Sequence, residues 1–425
     1  MRVRWIHAAD VHLGYQQYGL AERADDFARA FKHVCDHAIR SRVDFLLIAG
    51  DLFHKRAVDA RTMGQAYGLL TELRKAGIPV LCVEGNHERA FYNASWTWLE
   101  FLSVNGLLHL LGPNDATGQS RLDPWDEDDR CGGYLDISGV RVYGIKYHGA
   151  SAPRVLERVS NQLAAETQRP LSVVMLHEGM EGQLPRSTGG LTAAQLDLLQ
   201  PHCEYLALGH IHKRYEHRNW AHNPGSLETC STEEWEWERG YYEVEADTDA
   251  RQIVNVTHHA NPRRHFHRIF IGVEACSTPG ALEDTVLRRV ESQVMSDPGS
   301  RPVIDVTLRG TLQFGDDALR LPFLEEQIRE RCAPMVVRIK NNTVPAGYSS
   351  AAALDENGQL DRRLLEVQVL TDLLRRDSRY EQAAGQWALT FQELKDAALA
   401  GLPPAEVVRI LEAGQDRALA ASLPQ

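Results

Sequence analysis

Phe45-Leu46-Leu47-Ile48-Ala49 runs directly into Gly50-Asp51, and four other apolar runs end in the same manner. Val3-Arg4-Trp5-Ile6-His7-Ala8-Ala9 leads into Asp10-Val11-His12, and Ile78-Pro79-Val80-Leu81-Cys82-Val83 into Glu84-Gly85-Asn86-His87. Val173-Val174-Met175-Leu176 leads into His177, and Tyr205-Leu206-Ala207-Leu208 into Gly209-His210-Ile211-His212. Short apolar runs of this kind read as buried strands. In sheets covered by helices, ligands gather just past the carboxyl ends of the strands. Residues far apart in sequence are therefore expected to converge on one point. The converging set of two Asp, one Asn and several His suits a hard-to-borderline divalent metal.

The spacing adds detail. Asp10 and His12 are expected on extended backbone, where residues i and i+2 point the same way and both reach one metal. Gly209-His210-Ile211-His212 repeats that spacing with two imidazoles. Asp51 has two oxygens and can bridge two ions. In Gly85-Asn86-His87-Glu88 the turn presents an amide oxygen beside a His. Each motif alone is weak, since a lone His177 is more often a core or surface residue. Their joint order, each at the end of an apolar run, makes coincidence remote.

At 425 residues the chain exceeds one hydrophobic core, and two or three domains are expected. No apolar stretch is long enough to span a bilayer. The N-terminus enters a strand almost at once, so no signal peptide is expected. Seven cysteines scatter without paired spacing, which fits reduced thiols in the cytoplasm. Cys82 reads as core. The formal net charge of −12 at first sight argues against a nucleic-acid partner. Acidic residues, however, cluster away from the motifs, in Asp123–Asp129 and Glu233–Glu238. Basic residues sit beside them: Lys55-Arg56, Arg89, Lys213-Arg214, and Arg263-Arg264 with His265, His267 and Arg268. A basic rim around a metal centre fits a polyanionic substrate.

Helical periodicity over Asp25–Arg40 and Ala60–Ala76, between apolar strands, is the signature of a layered α/β domain. Strands Tyr134–Ile137, Val140–Ile145, Gly240–Glu245 and Gln252–His258 read as antiparallel additions. Asn261-Pro262 marks a boundary. Beyond it a smaller β-α-β-α-β unit is expected, followed from about Val344 by a loop and then helices at Gln359–Arg376, Trp387–Ala400 and Pro404–Ala420. The resulting division is 1–262, 263–343 and 344–425.

Asp-x-His, Gly-Asp, Gly-Asn-His-Asp/Glu, a single His and Gly-His-x-His are, in this order, the motifs of the calcineurin-like metallophosphoesterases, and the chain resembles that family. Within it the chain is similar to the SbcD type, the nuclease subunit of a double-strand-break-repair complex. His54, three after Asp51, and Asn223-Pro224-Gly225-Ser226 followed by Gly240–Glu245 support that branch. Glu88 departs from the usual Asp of the nucleases. The protein phosphatases have Asp and Arg where this chain has His54 and Lys55.

The resemblance implies a four-layer α-β-β-α sandwich with a small α/β DNA-capping domain and a helical C-terminal tail. It implies two divalent metal ions, Mn²⁺ in kind; ligand chemistry alone would also allow Fe²⁺ or Zn²⁺. One would be held by Asp10, His12, Asp51 and His212, the other by Asp51, Asn86, His177 and His210. His87 is the candidate to stabilise the phosphorus centre or protonate the leaving oxygen, and His54 to position the DNA backbone; a structural role is the alternative for each. Implied partners are DNA, an SbcC-like ATPase docking on the C-terminal helices, and a second copy of the chain. The Phe91-Tyr92 and Trp96-x-Trp98 patch is either that dimer surface or core. The competing functional readings are a stand-alone phosphodiesterase or phosphatase on a small phosphoester, and a scaffold with a degenerate site.

Overall fold

The computed structural model describes residues 1–90, 96–115, 118–166, 168–184, 190–294, 301–344, 362–375 and 379–422. The apolar runs of the motifs form β1 (Arg2–Ala8), β2 (Phe45–Ile48) and β3 (Val80–Val83), separated by α1 (Ala21–Ser41) and α2 (Ala60–Lys75). Next come α3 (Trp98–Val104), β4 (His109–Leu111), β5 (Tyr134–Ile137), β6 (Val140–Ile145), α4 (Ala152–Ala165) and β7 (Leu171–Leu176). Then follow α5 (Ala193–Asp197), β8 (Tyr205–Leu208), β9 (Tyr215–His217), β10 (Ala221–Asn223), β11 (Gly240–Asp247) and β12 (Gln252–Ala260).

These strands build two six-stranded sheets, in the orders β12-β11-β1-β2-β3-β4 and β5-β6-β7-β8-β10-β9. The hairpins β5–β6 and β11–β12 are antiparallel, as expected, and each lies at the margin of a different sheet. Between the sheets lies a buried layer that includes Val3, Trp5, Phe45, Leu81, Val142, Val173 and Tyr205. Trp5 stacks on Phe45 at 5.4 Å and meets Tyr205 edge-on at 5.7 Å. Trp5 thus ties both sheets together, a geometry aromatic pairs prefer. On the far face of the first sheet, α1 to α3 cover Ile6, Leu46, Ile48 and Cys82. On the far face of the second, α4 and α5 cover Val174, Leu206 and Leu208. This is the α-β-β-α sandwich that the family resemblance implies.

The chain divides into two compact units, Met1–Phe266 and His267–Gln425. The boundary falls after the first residue of β13 (Phe266–Gly272); the second unit holds the rest of β13 with α6 (Pro279–Val294), β14 (Val303–Thr311), α7 (Leu321–Cys332) and β15 (Val336–Val344), the strands in one sheet of order β13-β14-β15. It also contains α8 (Arg362–Arg375), α9 (Ala384–Leu399) and α10 (Pro404–Ser422). The loop expected through Pro345, Gly347 and Gly358 lies outside the described residues, as do Phe91 and Tyr92. Among the described residues, no helix is long and apolar enough to cross a membrane.

Candidate metal centre

β1, β2 and β3 run parallel, as do β6, β7 and β8. The loops that follow β1, β2, β3, β7 and β8 bring the motif residues into one cluster. Two of these loops are zipped together by their backbones: Asp10 N–H donates to Gly50 O at 3.1 Å, and His12 N–H to Asp51 O at 3.0 Å.

The route to this cluster differs from the expected one. β1 ends at Ala8. Asp10 and His12 do not lie on extended backbone; they have left-handed φ of 51° and 52°, and Asp51 has 55°. His210 also departs from a strand, with φ 80°. Left-handed backbone costs a non-glycine residue of order 1–3 kcal/mol and concentrates at functional sites. Here the paired loops hold it in place. The motif glycines answer to crowding. A side chain at Gly50, itself at φ 88°, would run into the His177 ring, and one at Gly85 would strike the Asp51 carboxylate.

Asp10, His12 and Asp51 are fully buried, and each offers a ligand atom within 4.8 Å of the others'. His12 Nε2 faces His212 Nε2 at 3.0 Å. Asn86 Oδ1 faces two imidazole nitrogens, His177 Nε2 at 3.2 Å and His210 Nδ1 at 2.9 Å. His177 Nε2 is also 3.4 Å from Asp51 Oδ2. His87 donates its backbone N–H to Asp51 Oδ1 at 3.0 Å. His12, His54 and His87 form a further group, their ring centroids 4.9 to 5.3 Å apart. The candidate ligands and the candidate catalytic residues His54 and His87 therefore meet here.

The cluster is built for a cation. His177 Nδ1 lies 2.6 Å from the Ala49 carbonyl, so it carries the hydrogen, and the Nε2 lone pair of a neutral ring would face two oxygens. Only a proton or a metal relieves that. Burial opposes a charged ring, but Asp51 outweighs it and raises the His177 pKa to about 9. Asp10 is pushed up to about 6 by burial, and burial with neighbouring His212 holds His12 well down. Asp10 Oδ2 and His12 Nδ1 are buried without a hydrogen-bond partner. Two carboxylates, an amide oxygen and imidazoles with orphaned atoms fit divalent metals.

Several contributors were not legible in sequence. Glu234 falls within an acidic run expected away from the motifs, yet it accepts from His212 Nδ1 at 3.0 Å and pairs with Arg239 at 2.8 Å. A buried carboxylate behind an imidazole orients it and sharpens its basicity toward a metal. Cys230 Sγ lies within 4.8 Å of ligand atoms of His12 and His212. Tyr15 stacks on His54 at 3.8 Å, and Tyr147 lies 5.3 Å from His210. The basic rim is smaller than expected. Arg264 is taken up by Asp26 at 2.8 Å inside a buried network with Arg23 and Glu228, and Arg214 pairs with Glu238 at 2.7 Å. Lys55, Arg56 and Arg89 are exposed.

Residues 3–214 match the family described as Calcineurin-like phosphoesterase. Fold, site and match together make this a calcineurin-like metallophosphoesterase, a class that hydrolyses phosphoesters with divalent metals. The chain is similar to the DNA double-strand break repair protein Mre11 of Archaeoglobus fulgidus, 35% identical over 235 residues that cover 53% of this chain and 50% of that one. It is 28% identical over 317 residues to the protein of the same name from Aeropyrum pernix, covering 72% of each. It is also 29% identical over 221 residues to the uncharacterized metallophosphoesterase YhaO of Bacillus subtilis, covering 49% of this chain and 48% of that one. The chain thus spans about half the length of the first and third of these relatives. The family resemblance read from the five motifs is borne out.

Proposed function

We propose that the chain is a dinuclear-metal-dependent DNA exo/endonuclease of the SbcD type, acting in double-strand-break repair. One observation carries this reading: Asp10, His12, Asn86, His177, His210 and His212 gather around Asp51 in a chain whose relatives are named for break repair. Asp10, His12, Asp51 and His212 would hold one ion, and Asp51, Asn86, His177 and His210 the other, with Mn²⁺ as the ion. Two such ions, when bound, supply charge neutralisation and an activated water for in-line displacement at phosphorus.

The chain's own groups do the rest. Ala49 and Glu234 fix the His177 and His212 rings through their Nδ1 atoms. His87 Nδ1 donates to the His54 carbonyl at 2.7 Å, which leaves Nε2 to protonate the departing oxygen. His54, braced by Tyr15, positions the DNA backbone, and exposed Lys55, Arg56 and Arg89 meet its phosphates.

In this reading 1–262 is the nuclease domain, 263–343 caps DNA, and 344–425 binds an SbcC-like ATPase in the cytoplasm. A second copy pairs through the surface carrying Trp96 and Trp98, which are 58% and 41% exposed. The test is cleavage of hairpin and linear duplex DNA, with Mn²⁺ and with chelator, beside hydrolysis of nucleotide esters. Metal-dependent cutting of DNA is expected. Turnover of small esters with no DNA cleavage would overturn the nuclease reading in favour of the stand-alone phosphoesterase.

A further inference from the structure

A second cluster of metal-ligating side chains stands apart from the motif loops, where α1 crosses the edge hairpin β11–β12. His37 Nε2 lies 2.9 Å from Glu243 Oε2, and His259 Nε2 lies 3.1 Å from the same oxygen. The two imidazole rings are 4.5 Å apart. Each of the three side chains offers one ligand atom within 4.8 Å of the other two. Glu243 opposes Thr257, and Tyr241 opposes His259. Glu243 and His259 are thus diagonal neighbours on one face of the hairpin. In a tetrahedral site with N and O ligands, neighbouring donor atoms are roughly 3.3 Å apart, given bonds of about 2.0 Å. Glu243 Oε2 already stands near that spacing from each imidazole nitrogen, and the two nitrogens lie within 4.8 Å of each other.

The rings are held by groups that leave these donors free to face a common point. Tyr241 stacks on His259 at 5.6 Å with planes 14° apart, and its hydroxyl meets His37 Nδ1 at 2.9 Å. A tyrosine hydroxyl both donates and accepts. It can therefore donate to a bare His37 Nδ1, or accept from Nδ1–H when the Nε2 lone pair is engaged by a metal. Arg4 approaches the other carboxylate oxygen of Glu243, at 3.6 Å, and leaves Oε2 to the imidazoles. The side chains are at most a third exposed, at 16% for His37, 19% for Glu243 and 32% for His259. His33 lies one helical turn before His37, on the same face of α1.

We propose that His37, Glu243 and His259 form a separate site for a borderline divalent ion of the Zn²⁺ class. The ion staples α1 to the edge of the first sheet. Two imidazoles and one carboxylate select such an ion over Mg²⁺ or Ca²⁺. This assignment is independent of the phosphoesterase reading.

The test uses the full chain, loaded with Zn²⁺, dialysed, and analysed for zinc by mass spectrometry. His259→Ala is expected to hold about one zinc per chain fewer than the unaltered protein. It should also lose part of the rise in thermal midpoint that Zn²⁺ confers, because a ion bound only to the folded state stabilises by mass action. Mn²⁺-dependent phosphoester cleavage should be unchanged. Glu243→Gln keeps the shape of the strand residue and should lose the same zinc, which covers the case in which His259→Ala folds poorly. Asp51→Asn, which damages the motif cluster, should retain this zinc. Zinc content and Zn²⁺-dependent midpoint both unaltered in His259→Ala and Glu243→Gln would overturn the site.

Discussion

Glu88 binds the backbone of the Asp51 loop from beneath. Its Oε2 accepts the Asp51 N–H at 3.1 Å and the Gly85 N–H at 3.0 Å, while Oε1 accepts the Phe53 N–H at 2.8 Å. Burial and the Asp51 charge push the Glu88 pKa up to about 8, against the pull of its backbone donors. The sequence marked Glu88 only as a departure from the usual Asp. Its bonds make it the clamp that joins the Gly50-Asp51 and Gly85-Asn86 loops.

Glu88→Ala should therefore destabilise the protein by about 3–5 kcal/mol, since it strands three buried N–H groups that each cost roughly 1–3 kcal/mol when unmet. Glu88→Asp, one methylene shorter, should fall between. Urea unfolding of the metal-free chain measures both. A loss below about 1 kcal/mol for Glu88→Ala would remove the clamp role.

Asp51→Asn should abolish metal-dependent cleavage while the fold persists. Its carboxylate stands between His177 and the His87 backbone N–H, where a shared ligand would sit. Metal content should drop together with activity. A variant that keeps two ions and near-native rates would sink the bridging assignment.

Glu234→Gln keeps the shape behind His212 but removes the charge facing its Nδ1. Loss of such a supporting carboxylate typically lowers metal affinity about 10–100-fold. Titration of Mn²⁺ against cleavage rate should show a raised half-saturation point with a smaller change at saturation. Equal half-saturation in the two proteins would leave Glu234 as a partner of Arg239 alone.

The legible and illegible parts of this molecule separate by physical scale. β2, β3, β7 and β8 are legible because burial on both faces makes their runs almost continuously apolar, β1 because Val3, Trp5, Ile6 and Ala8 outweigh Arg4 and His7, and the ligand types announce themselves at the ends. The three-residue strands β9 and β10 and the five-residue α5 are too short to show a period. Glu234 looks like one more charge in an acidic run, and only the fold turns it inward. The left-handed φ at Asp10 and His12 leaves no trace in residue type, since neither is glycine. Arg264 sits in a basic run, but its partner Asp26 is distant in sequence on α1.

His87→Ala should separate chemistry from metal binding. His87 Nδ1 is committed to the His54 carbonyl, and its ring lies 4.9 Å from that of His12 without being placed among the proposed ligands. The cleavage rate should fall by roughly 10²–10⁴, the range for a positioned acid or base, with bound metal unchanged. Loss of metal in this variant would move His87 into the ligand set.

The C-terminal helices supply the last prediction. α9 packs against both α8 and α10, and ion pairs Arg363–Asp396 at 2.7 Å and Arg417–Glu393 at 2.6 Å join them. The apolar stripe expected in sequence is only partly used by that packing. Leu364 and Leu373 on α8 remain 53% and 56% exposed, Leu399 on α9 77%, and Leu411 on α10 42%. If, as the proposed function has it, these exposed side chains form one surface that another chain covers, helices of a partner's coiled coil would suit it. Deleting residues from Ala346 onward should then leave Mn²⁺-dependent cleavage but abolish co-purification with an SbcC-like ATPase and any ATP-stimulated cutting. Leu364→Glu combined with Leu373→Glu should do the same in the full chain with little change in thermal midpoint, because exposed positions contribute little to folding. Unchanged affinity for the ATPase in both proteins, measured by titration, would assign these helices to packing within their own chain.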